Sequence, residues 1–145
     1  FLITDLANRA YGKPVARKIV YIGFFIGICL TLLVSTNFSD LISVRIAIGS
    51  GVAFFIAQNL DVGIFDIFRK KVWYVAPLTS SVFGSIVDTF LFFSISFYGT
   101  GINWVTLGLG DLIVKIIVAL IMLVPFRILL SYTKDISIVK KKINA

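Results

Sequence analysis

From Ile19 to Ser39 the chain carries no charged side chain, and from Ala76 to Gly101 it carries one, Asp88. Runs of this length match the roughly 20 apolar residues a helix needs to cross the hydrocarbon core of a bilayer. Two more stretches fit the same template. Leu41 to Leu60 contains only Arg45, and Leu112 to Tyr132 contains Lys115 near its start, Pro125, and Arg127 near its finish. A backbone removed from water must satisfy its own hydrogen bonds, which favours helices. The expected fold is therefore an all-α polytopic membrane helical bundle of one domain. Its spans fall at about 19–39, 41–60, 76–98 and 112–132, with a basic tail over 133–145 and the end of an earlier span in Phe1 to Ala10. A mean hydropathy of +1.02 and a hydrophobic content of 59% agree, since soluble domains hold roughly 45 to 50% apolar residues.

The loops orient the bundle. Arg9, Lys13, Arg17 and Lys18 precede the first full span, Arg69 to Lys71 lie between the second and third, and Lys134 and Lys140 to Lys142 follow the last. Basic residues thus alternate sides, as the positive-inside rule requires, and the C-terminus is expected to be cytoplasmic. The net charge of +7 is explained by these loops, and no nucleic-acid partner is expected. The chain opens on Phe1 in an apolar stretch and has its only Met at position 122, so it reads as N-terminally truncated.

Several chemistries are excluded. There is no His, every acid is an Asp, and the single cysteine, Cys29, lies inside a span. Neither a His-based triad nor a His or Cys metal site is available, so no enzyme activity, metal or cofactor is expected. Gly23 and Gly27 form a GxxxG in the first full span, which reads as a place of close intramolecular helix contact.

Against the apolar background, polar residues stand out. Ionising a carboxylate at bilayer depth costs at least ~2.5 to 3.5 kcal/mol, so Asp88 needs a partner or a function. Ser81, Gly84, Ser85 and Asp88 are spaced by three or four and share one helix face. Gln58, Asn59 and Asp61 close the second span, and Asp111 and Lys115 form an i,i+4 pair at the start of the last. One reading pairs Asp88 with Lys115 on the neighbouring helix, leaves Asp61 at the interface near Arg69 or Lys70, and makes Asp111 a helix N-terminal acid favoured by the dipole. The other is a solute site near the midplane lined by Gln58 and Asp88, with Phe54, Phe55, Phe83, Phe90 and Phe92 as candidate stacking faces. A carboxylate there accepts two parallel N–H bonds from a planar heterocycle.

Four blocks, FLITDLANRAYGKPVARKIVYIGF, AFFIAQNLDVGIFD, WYVAPLTSSVFGSIVDTFLFFSISFYG and GDLIVKIIVALIMLVPFRIL, resemble in order and spacing the queuosine precursor transporter family, also called the vitamin uptake transporter family. The likeness is to its alphaproteobacterial branch in particular. It implies a six-helix inner-membrane protein that imports 7-deazaguanine bases, such as 7-cyano- and 7-aminomethyl-7-deazaguanine, for salvage into tRNA modification. The matching polar positions are Asp5, Asn8, Gln58, Asp61, Ser80, Asp88, Asp111 and Lys115. Much of the family has a Ser-Gln pair where this chain has Gly84 and Ser85.

The expected substrate-binding set is Gln58, Asp61, Ser81, Ser85, Asp88, Asp111 and Lys115. In it Asp88 accepts from N1–H and the exocyclic amine, and Gln58 meets the carbonyl edge. No nucleotide-binding P-loop is present, so energy comes either from a proton taken up by Asp88 or Asp61 or from a partner ATPase. The latter would make the chain a substrate-binding component of an energy-coupling-factor type importer. The remaining alternative is a structural membrane protein whose polar residues only hold helices together.

Overall fold

The computed structural model describes the backbone of residues 1–35 and 38–143 and the side chains of 1–34 and 38–132. It is all-α, with no strand among the described residues. The order is α1 (Leu2–Tyr11), α2 (Lys13–Leu30) ending in a π-helical turn (Thr31–Ser35), α3 (Leu41–Phe68), α4 (Val75–Phe97) and α5 (Trp104–Ile143). Four segments, Lys13–Val34, Leu41–Phe68, Val75–Phe97 and Trp104–Tyr132, are long and apolar enough to cross a membrane.

Local chemistry sets the breaks. Gly12 separates α1 from α2 at φ 91, a left-handed conformation that glycine adopts without a Cβ penalty, and Pro14 then stands in the first turn of α2, where its missing N–H is no loss. Asp40 caps α3 by accepting from the amides of Ile42 at 3.1 Å and Ser43 at 3.2 Å. At the far end of α4, Arg45 donates to the carbonyls of Ile95 and Tyr98, placing its charge where α4 leaves carbonyls unpaired.

Two helices are longer than the apolar runs suggest. α3 continues past residue 60 to Phe68, which brings Asp61 into the helix interior, and α5 starts at Trp104 and runs through most of the expected tail. Gly108 and Gly110 do not delay its start, because in lipid a backbone gains more from bonding to itself than glycine loses in propensity. The side chains of Lys134 and Lys140 to Lys142 lie outside the described residues.

α3 and α4 form the main antiparallel pair, with α5 against α4, α2 against α3, and α1 set against α2, α3 and α5. α3 and α4 approach closely at Gly49, where an added Cβ would meet Ser96 Oγ at 2.5 Å and the Phe92 carbonyl at 3.3 Å. Gly23 and Gly27 have nothing within 4 Å of such a Cβ; the expected close contact is absent there, and both glycines border a cavity instead.

Burial is inverted relative to a soluble protein. Thr4, Asp5, Asn8, Gln58, Asp61, Ser80, Ser81, Ser85, Thr89 and Ser96 are buried, while Phe25, Leu33, Phe90, Ile117 and Val124 are exposed. A helix in hydrocarbon gains nothing by hiding Leu from lipid and associates through small and polar residues. An apolar plug closes the end carrying the Arg69–Lys71 loop, where Phe65, Ala76, Phe126 and Leu130 pack together. Arg127 lies 4.8 Å over the Trp73 ring at this end.

Candidate functional site

α4 and α5 each carry charge in an apolar run, and the structure joins them. Lys115 Nζ donates to Asp88 Oδ2 at 2.7 Å and to Thr89 Oγ1 at 3.2 Å, and ion-pairs with Asp111 Oδ2 at 2.5 Å one turn earlier on α5. The Thr89 hydroxyl donates to Asp111 Oδ2 at 2.7 Å. Asp111 therefore lies seven residues inside α5 and pairs with side chains; the expectation of a helix N-terminal acid fails because the helix begins at Trp104.

The three charged side chains are 25 to 32% exposed and form part of the wall of a cavity of about 780 Å³ between α2, α3, α4 and α5. That volume is within the range of small-molecule sites. Phe24, Phe54, Phe55 and Phe92 line it as well, and the rings of Phe24 and Phe54 stand parallel at 6.4 Å between centroids. Phe83 and Phe90 do not take part; they are exposed on the outer surface. Two carboxylates against one ammonium leave the triad with an excess negative charge beside these aromatic faces.

Lys115 also borders a smaller cavity of about 330 Å³, whose wall includes Asp5, Pro77, Ser81, Ser85 and Phe126. The shared face of Ser81, Gly84, Ser85 and Asp88 is thus divided: the serines face the smaller cavity, Asp88 faces the larger, and Lys115 stands between them.

Gln58 and Asp61 line neither of these two cavities. Gln58 Oε1 accepts from the Thr4 hydroxyl at 3.4 Å, so the structure does not bring it to Asp88. Asp61 is 0% exposed and lies on the face of α3 that meets α1, one residue before Val62, whose carbonyl accepts from Asn8 Nδ2 at 3.0 Å. Its expected place at the interface near Arg69 is not where it lies, because α3 runs two further turns. Arg69 instead exchanges hydrogen bonds with Arg9, each guanidinium donating to the other's backbone carbonyl.

Thr4 and Thr89, and Asp5 and Asn8, which stood out only as positions matching the family, lie outside the expected substrate-binding set. Thr4, Asp5 and Asn8 were readable as a polar face within one turn of the opening helix. Thr89 needed the approach of α5 to α4.

A comparison with protein families matches residues 1–130 to one described as putative vitamin uptake transporter. The probable queuosine precursor transporter of Haemophilus influenzae is 38% identical over 144 residues, covering 86% of this chain and 61% of that protein. The queuosine precursor transporter of Escherichia coli is 29% identical over 165 residues, covering 100% of this chain and 75% of the relative. A probable queuosine precursor transporter of Bacillus subtilis is 29% identical over 146 residues, covering 85% and 64%. The chain spans less than two thirds of the Haemophilus and Bacillus relatives it matches. No solved structure matches it.

Proposed function

The chain belongs to the putative vitamin uptake transporter family, and on that premise we propose that it takes part in importing queuosine precursors, with the base seated against Asp88 and Lys115 in the larger cavity. Relatives named as queuosine precursor transporters support the substrate class. The observation that carries the site is the pairing of a carboxylate acceptor and an ammonium donor, 2.7 Å apart, on an aromatic-lined wall.

A deazaguanine presents an exocyclic amine, N1–H and a carbonyl along one edge. Asp88 accepts from the two donors, and Lys115, rather than Gln58, donates to the carbonyl. Phe54, Phe55 and Phe92 offer stacking faces for the ring. In the structure Asp88 holds Lys115; on binding, its oxygens turn to the base while Lys115 keeps Asp111. The triad's excess carboxylate favours a 7-aminomethyl cation over a neutral 7-cyano base, with Asp111 as its counter-charge.

This reading places the protein in the inner membrane with a cytoplasmic C-terminus, as the alternation of loop charge supports. In cells that depend on precursor salvage, Asp88→Asn abolishes uptake while membrane protein levels stay unchanged. Normal uptake by that variant would overturn the reading.

A further inference from the structure

We infer that Asp5 and Asp61 share a single proton and form a proton-binding site separate from the triad of Asp88, Asp111 and Lys115. The two residues face each other across the α1–α3 contact, between the hydrogen bond from Thr4 Oγ1 to Gln58 Oε1 at 3.4 Å and that from Asn8 Nδ2 to the Val62 carbonyl at 3.0 Å. Asp5 is 3% exposed and Asp61 0%, so bulk solvent screens their charges little. Like charges facing each other at low dielectric cannot both persist, and the proton that removes one belongs to the pair.

The surrounding acceptors give independent support. Asp5 Oδ1, both oxygens of Asp61 and Asn8 Oδ1 are buried with no hydrogen-bond donor assigned to them. Asn8, one turn after Asp5 and 0% exposed, is anchored by Nδ2 donating to the Val62 carbonyl at 3.0 Å, beside Asp61. Its oxygen therefore stays in the cluster as a further acceptor. Ser80 spends its hydroxyl proton on the Pro77 carbonyl at 3.3 Å. So many buried acceptors without donors call for an added proton.

Among the described residues, the charges on the surrounding elements do not supply one. On α1, Arg9 is committed to the Arg69 carbonyl, and on α3 Arg69 is committed to the Arg9 carbonyl. Asp66, farther along α3, adds no positive charge. α2 turns Ala16 and Val20 to this region and leaves Arg17 and Lys18 exposed. α4 presents serines, and Lys115 of α5 is held by Asp88 and Asp111.

Asp5 and Lys115 stand on the wall of the same smaller cavity. Loss of the proton leaves a new negative charge there, which draws Lys115 from Asp88 and links the proton site to the substrate site. The link rests on the transport reading given above; the proton site does not.

Infrared spectroscopy of the purified full-length protein tests the site. The expected result is a protonated carboxyl band at neutral pH in the wild type, retained in Asp88→Asn and lost in both Asp5→Asn and Asp61→Asn. Absence of the band from the wild type, its survival in Asp61→Asn, or its replacement by a sodium-dependent carboxylate shift would overturn the inference. In liposomes loaded with 7-cyano-7-deazaguanine, Asp61→Asn should keep substrate exchange and lose accumulation driven by a pH gradient. Gradient-driven accumulation at the wild-type level in that variant would overturn the coupling. Failure of the wild type to bind any deazaguanine would sink the substrate reading and leave the infrared test unaffected.

Discussion

Two carboxylate clusters border α4, and they differ in whether a side-chain cation is built in. Asp88 and Asp111 share Lys115, remain 25 to 32% exposed and face a large cavity. Asp5 and Asp61 have no lysine or arginine on them among the described residues and are almost fully buried. The first cluster can stay charged and exchange one partner for another, which suits a site that must release what it binds. The second is reconciled with its surroundings by a proton. In hydrocarbon, the partner of a carboxylate decides its chemistry more than the carboxylate itself.

Replacing Lys115 with Met should strike the comparison hardest. It leaves two carboxylates facing each other without their ammonium. Breaking a fully buried ion pair costs roughly 3 to 5 kcal/mol, and partial exposure of this cluster reduces the expected loss to about 2 kcal/mol. Thermal unfolding in detergent measures it, and uptake should disappear with it. An unchanged unfolding temperature would mean that the triad is not a coupled unit.

Asn8→Ala should come next, at about 1 to 2 kcal/mol, through the lost hydrogen bond to Val62 and the space left beside Asp61. Thr89→Val removes the hydroxyl that bonds Asp111 but preserves shape and the Lys115 pairs, so about 1 kcal/mol is expected. Asp61→Asn should cost least, under about 1 kcal/mol, because an amide reproduces the shape and donor of a protonated carboxyl. A loss as large as that of Lys115→Met would show that Asp61 is held as a charged group, and the contrast between the clusters would fail.

The sequence made one cluster far easier to read than the other. Asp88 and Lys115 each interrupt an apolar run, so each needs an explanation, and pairing them was among the readings open from residue types alone. Asp61 could be mistaken for an interfacial residue because basic residues follow it; only the continuation of α3 to Phe68 buries it. Asp5 was legible only as a position matching the family, in a short opening helix whose inward face depends on α2, α3 and α5 packing against it.

Glycine spacing shows the same limit. Gly23 and Gly27 have the GxxxG but no close neighbour, whereas Gly49, followed at spacing four by Ala53 and Ala57 rather than by glycine, meets Ser96 and the Phe92 carbonyl. A spacing states what a helix permits, and the partner helix decides what is used. The number and order of the apolar helices were legible because they depend on composition along one segment at a time. The division of Ser81, Ser85 and Asp88 between two cavities depends on where α5 places Lys115.

The central claim is that Asp88 exchanges Lys115 for a deazaguanine base, and equilibrium binding of 7-cyano-7-deazaguanine to the purified full-length protein tests it most directly. The wild type should bind saturably. Asp88→Asn should bind on the order of 100-fold more weakly, as expected for losing two charge-assisted hydrogen bonds of about 1.5 kcal/mol each. Equal affinity in the two proteins, or no saturable binding by the wild type, would contradict the account.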